Sequence, residues 1–78
     1  MVETAPPNFG SWLKARRRTL DLTQRELAAK LDCAEITVRK IEANRLRPSK
    51  YLARLMLQKL RVPRGERPEL ILLARQRI

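Results

Sequence analysis

The 78-residue chain is predicted to be all-α, a five-helix bundle in which two short helices meet at a tight turn. Three observations predict this. Apolar residues recur at three- and four-residue intervals, and no stretch alternates as a strand would. Asn8, Thr23 and Ser49 stand where helix N-caps are needed, just before periodic runs. Asp21, Asp32 and Asn44 stand at the ends of the first three helices, where a left-handed residue is commonly required. The two glycines, Gly10 and Gly65, lie elsewhere, and Asp and Asn are the other residues that best tolerate that conformation.

Taken in order, residues 1–7 hold turn formers without periodicity and are expected to form a flexible lead-in to one domain over residues 8–78. The first helix is expected to run from Asn8 to about Thr19, with Phe9, Trp12, Leu13 and Arg16 or Arg17 at helical spacing. Thr23 and Glu26 form a capping box for the second helix, flanked by Leu22 and Leu27 as a hydrophobic staple. Leu27, Ala28 and Leu31 supply its buried stripe. Asp32, Cys33 and Ala34 make the turn into a third helix from about Glu35 to Ala43, with Val38, Ile41 and Glu42 on one face. After the loop Asn44-Arg45-Leu46-Arg47-Pro48, Ser49 caps a fourth helix carrying Leu52, Leu55, Met56 and Leu60. Val62-Pro63 breaks it. A last helix from about Arg64 or Pro68 to Arg77 carries Leu70, Leu73 and Ala74.

Composition narrows the function. Lys and Arg number 18 against 8 acidic residues, a formal net charge of +10; solubility alone asks for no more than roughly 8 in a small domain. A polyanion is the expected partner. Nucleic acid fits better than membrane, because no apolar run approaches the ~20 residues of a spanning helix. Residues 1–7 lack the basic start and apolar core of a signal peptide, so a cytoplasmic, nucleoid-associated location is expected. Cys33 is the one cysteine and histidine is absent, which rules out an internal disulfide and removes the usual general base and metal ligand. With no nucleophile beside a base and no clustered carboxylates, no enzyme, metal or cofactor is expected. Phe9, Trp12 and Tyr51 do not form a stacking platform for RNA.

The third helix carries the sharpest signal. At 100° per residue, with Val38 centred on the buried face, Ile41, Glu42 and Ala34 fall near it, while Ile36, Arg39, Lys40 and Ala43 point away. Glu35 and Thr37 flank the two faces. A short, basic outward face suits a helix of about residues 34–43 lying in the major groove of double-stranded DNA, its N-terminal turn nearest the base edges. The base-facing set is Ala34, Glu35, Ile36, Thr37, Arg39 and Lys40, with Ala34 counted for its place at that end although it falls toward the buried side. Arg39 and Lys40 suit guanine O6 and N7 or phosphate, Ile36 a thymine methyl, Glu35 cytosine N4. Each has a blander alternative: a solvated face for the cations, an isolated exposed apolar residue for Ile36, a favourable acid at a helix start for Glu35.

Gln24, first after the Thr23 cap, suits a phosphate oxygen together with the free N–H groups of that helix end. Arg45 and Arg47 in the following loop and Arg16 in the first helix complete the phosphate set, with Arg18, Lys14 and Lys50 as further candidates. Glu42 falls on the buried side, where a carboxylate needs a partner, and Arg17 on the inner side of the first helix is the expected one.

These residues resemble a known family, the phage repressor and Cro-like helix-turn-helix, also called the xenobiotic response element type. The resemblance rests on Phe9, Leu13 and Arg17, then Leu22-Thr23-Gln24, Glu26-Leu27-Ala28, Val38, Ile41-Glu42 and Arg47-Pro48-Ser49, and covers about residues 8 to 76. It implies a five-helix lambda-repressor-like bundle, a sequence-specific double-stranded DNA-binding role in transcription control, and pairing of two copies on two half-sites. It also implies that Gln24 contacts phosphate, that Arg17 and Glu42 pair, and that Glu35, Ile36 and Lys40 touch bases with Thr37 and Arg39 nearby. Asp32 and Asn44 replace glycines usual in that family, Ala34 replaces a Ser or Thr cap, and Glu35 replaces a frequent glutamine or arginine. The alternative function is a protein-interaction or dimerisation module, a homodimer or a further domain of a longer chain, built on Ile71, Leu72 and Ile78 of the last helix.

Overall fold

Asn8 opens the first helix as its sequence position predicts, its side-chain oxygen accepting from the Ser11 amide at 2.8 Å. The computed structural model describes residues 8–76. The expected lead-in over residues 1–7, and Arg77 and Ile78 of the expected last helix, lie outside the described residues. Five α-helices follow: α1 (Phe9–Thr19), α2 (Gln24–Leu31), α3 (Glu35–Glu42), α4 (Lys50–Lys59) and α5 (Arg67–Ala74), with a 3-10 turn over Arg64–Glu66 before α5. No strand occurs among the described residues, and no helix there is long and apolar enough to cross a membrane.

The caps explain where the helices begin. Thr23 Oγ1 accepts from the Glu26 amide at 3.0 Å, and Glu26 Oε1 accepts from the Thr23 amide at 2.8 Å, a complete capping box. Ser49 Oγ accepts from the Leu52 amide at 3.0 Å. Ala34 precedes α3 and offers no side-chain cap, so α3 lacks about 1 kcal/mol that a Ser or Thr there supplies.

One device ends the first four helices. Asp21, Asp32, Asn44 and Arg61 have φ of 58°, 54°, 59° and 58°. In each case the next amide reaches back to a carbonyl five residues earlier: Leu22 to Arg17, Cys33 to Ala28, Arg45 to Lys40, Val62 to Leu57. This is the Schellman closure, built here entirely without glycine. Three of the four residues are the Asp and Asn expected from the sequence. Arg61 carries no such mark.

Phe9, Leu13, Leu27, Ala28, Leu31, Val38, Ile41, Met56, Leu57 and Leu60 form the core. α3 packs on α1 and α2, α4 on α2 and α5, and α5 on α1. In the fourth helix the expected Met56 and Leu60 are buried together with Ala53 and Leu57, while the expected Leu52 and Leu55 are half-buried and pack against the core's edge. The last helix ends at Ala74, short of Arg77; Leu72 is 70% exposed.

Gly10 fixes how α1 meets α3. A Cβ there would lie 2.6 Å from the Glu42 carbonyl oxygen, 2.7 Å from that of Ile41 and 2.7 Å from Asn44 Oδ1. Only a residue without a side chain permits this approach. Asn44 Oδ1 accepts from the Gly10 amide at 3.2 Å, and its Nδ2 donates to Asn8 Oδ1 at 2.9 Å. The end of the third helix is thereby tied to the beginning of the first.

Candidate nucleic-acid interface

The outer surface of α3 follows from the burial of Val38 and Ile41, both at most 1% exposed. Turning those two inward leaves Ala34, Ile36, Arg39, Lys40 and Ala43 exposed, with Glu35 and Thr37 half-buried at the flanks. Ala34 is therefore on the open side, at the helix entrance, rather than toward the core: as the N-cap it has extended backbone (φ −74°, ψ 147°) and leaves the 100° progression. Ile36, Arg39, Lys40, Ala43 and Arg45 line one shallow depression on this surface. Ile36 is the one large apolar residue in that depression, which it shares with three cations.

Glu35 is not a bare carboxylate. Its Oε2 accepts from Arg39 Nη2 at 3.3 Å, one turn away, with the two side chains 41% and 57% exposed respectively. A pair of this kind contributes only about 0.3–0.5 kcal/mol.

Arg17 and Glu42 tie α3 to α1. Arg17 Nε donates to Glu42 Oε2 at 2.7 Å and Nη2 to Oε1 at 3.0 Å, a bidentate fork. The third arm, Nη1, donates to the Leu22 carbonyl at 2.8 Å. Side-chain exposure is 9% for Arg17 and 4% for Glu42. The hydrogen bond to Glu42 raises the Arg17 pKa above its ordinary value, against a smaller lowering by burial. Gln24 joins the same carboxylate, its Nε2 donating to Oε1 at 3.1 Å. Gln24 thus stands at the start of α2 with one N–H of its side-chain amide held by Glu42 and the other without a partner among the described residues.

The remaining cations divide. Arg45 is exposed beside the α3 depression. Arg47 is exposed, with one arm donating from Nη1 to the Arg75 carbonyl at 3.1 Å, while Arg75 Nη1 donates to the Pro48 carbonyl at 2.7 Å. Arg16, expected to reach phosphate, is turned inward: Nε donates to the Leu60 carbonyl and Nη2 to the Arg61 carbonyl, both at 3.0 Å. The physical reason is the Schellman closure of α4, whose terminal carbonyls lie open to a donor. Arg75 had no assignment from the sequence, and a carbonyl partner leaves no mark in the sequence by which to find it. Cys33 is half-buried in the turn between α2 and α3, and burial, then the Asp32 charge, raise its thiol pKa, which disfavours the thiolate.

Residues 13–67 match a family model described as helix-turn-helix. No curated protein and no solved structure is a significant match.

Proposed function

The chain belongs to the Cro/C1-type helix-turn-helix family of DNA-binding transcription regulators, and on that premise we propose that it reads a specific double-stranded DNA sequence by laying α3 in the major groove. The observation that carries the proposal is the α3 depression, where Ile36, Arg39, Lys40, Ala43 and Arg45 meet on the one face of that helix the core leaves open. Lys40 and Arg39 donate to guanine edges or phosphate, and Ile36 meets a thymine methyl. Ala34, Glu35 and Thr37 stand at the helix entrance, where base edges come first. Gln24, Arg45 and Arg47 supply the phosphate contacts, Gln24 through the second N–H of its side-chain amide together with the free backbone amides at the α2 start. Arg16 leaves this set.

Selection from random duplexes tests the proposal. An enriched motif is expected, with affinity falling steeply as salt rises and a specific-to-nonspecific ratio of at least ~10³. Recovery of no motif would replace it with the interaction-module function.

Leu72 favours that second function as an additional one. It projects from α5 beside a groove lined by Trp12, Leu70 and Leu73. Pairing of two copies through this exposed face suits a symmetric dimer on two half-sites. Sedimentation of Leu72→Lys against the unaltered chain checks it: a dimer that survives the substitution excludes this face.

A further inference from the structure

A depression of about 200 Å3, formed where α2 and α4 end beside the α1–α2 turn, is lined by Leu20, Leu22, Lys30, Lys59 and Arg61. Three exposed cations converge there on two half-buried leucines. The ion pairs among the described residues are Arg17–Glu42 and Glu35–Arg39, so none of the three is in an ion pair, although the Glu26 charge acts on Lys30 from one turn away. None of the residues assigned to DNA lines this depression. Lys30 and Lys59 each suit the C-terminal turn of their own helix. That accounts for each lysine singly, but not for Arg61.

Arg61 is the unexpected member. It occupies a left-handed position, φ 58°, that disfavours any residue with a Cβ and that glycine would fill without strain. Its carbonyl accepts from Arg16, while its own guanidinium makes no hydrogen bond among the described residues. The fold therefore gains nothing evident from an arginine here, and a strained position that keeps a costly side chain points to use of that side chain.

We propose that this depression docks an acidic protein segment bearing an apolar anchor. Carboxylates of the segment meet Lys30, Lys59 and Arg61, and a side chain of leucine or phenylalanine size rests on Leu20 and Leu22. The apolar floor separates this site from a phosphate clamp, because a duplex backbone offers charge to the cations but no side chain to the leucines. Charge complementarity of this kind speeds encounter, and the anchor supplies the specificity.

Titration of isotope-labelled protein with two short synthetic peptides of equal charge tests the site. One alternates Asp and Glu with Leu and Phe; the other carries Ser in place of Leu and Phe. Amide shifts are expected at Leu20, Leu22, Lys30, Lys59 and Arg61, with the apolar peptide binding roughly tenfold tighter, the effect of burying one such side chain. Arg61→Gly and Lys59→Gln should each weaken it several-fold, whereas Lys14→Gln and Lys50→Gln should not. Arg61→Gly relieves the backbone, so its loss of binding cannot be ascribed to unfolding. Equal binding of the two peptides, binding of neither, or shifts spread over α3 would overturn the proposal. So would a Lys30→Gln, Lys59→Gln, Arg61→Gly triple variant with a reduced salt slope for duplex binding, which would assign the cluster to the DNA backbone.

Discussion

Arg17 reaches 25 residues along the chain to fork Glu42, joining the first helix to the end of the third through two hydrogen bonds of 2.7 and 3.0 Å. Both side chains are nearly out of water, so either one left alone is a buried, unpaired charge. Glu42→Ala is expected to lower stability by ~3 kcal/mol in chemical denaturation. Replacing both residues together, Arg17→Met with Glu42→Leu, should cost much less, since no orphan charge remains. A Glu42→Ala loss below about 0.5 kcal/mol would mean the pair behaves as a surface one.

The two glycines should respond in opposite senses. Gly10→Ala drives a Cβ against three oxygens at 2.6–2.7 Å and is expected to cost about 1–3 kcal/mol. At Gly65 nothing lies within 4 Å of the added atom and φ is not positive. Gly65→Ala should therefore be neutral or raise stability by up to about 1 kcal/mol through the unfolded chain. Thermal melts of the two variants decide it.

Asn44 and Arg61 share nearly the same backbone, φ 59° and 58°, yet their glycine variants should diverge. Arg61→Gly relieves a strained residue that makes no side-chain hydrogen bond, so Tm should rise. Asn44→Gly relieves less strain and discards the hydrogen bonds to Gly10 and Asn8, so Tm should fall. Two shifts of the same sign would contradict this assignment of roles.

Acid should weaken the start of α2. The Glu26 pKa lies below its ordinary value of 4.5, chiefly because the Thr23 backbone amide donates to it, then through the Thr23 side chain, with Lys30 a smaller contributor. A lowered folded-state pKa stabilises the fold above the unfolded value, and this contribution is lost as pH falls through the folded one. Stability against pH should therefore slope down below about 4.5, less steeply for Glu26→Gln, which keeps an acceptor for Thr23 without titrating. Identical acid slopes would remove Glu26 from the account.

Lys40→Glu should abolish sequence preference in duplex selection while far-UV circular dichroism stays unchanged, because the side chain is exposed and carries no core contact. Arg45→Gln should instead weaken all duplexes alike and reduce the salt slope by about 1, as a phosphate contact does. Preserved preference in Lys40→Glu would take Lys40 out of the base-reading set.

The sequence alone determined what is local along the chain. N-caps at Asn8, Thr23 and Ser49, left-handed ends at Asp21, Asp32 and Asn44, and the inward stripe of Leu27, Ala28, Leu31, Val38 and Ile41 all act within a turn or two of themselves. Their spacing was enough to place the helices and to expose the right face of α3. The Arg17–Glu42 pair was also legible, because helical angle put a carboxylate on a buried face and Arg17 on the inner side of the first helix. Tertiary structure decided where the other long polar side chains ended. Arg16 went to the Leu60 and Arg61 carbonyls, Gln24 to Glu42, and Arg47 and Arg75 to each other's neighbourhoods. The physical reason is that their partners are mostly backbone carbonyls, the same in every residue, and which carbonyl lies within reach depends on helices brought together from 18 to 45 positions away. Gly10 belongs with them: a small residue records a close approach, but only the packed helices show what approaches.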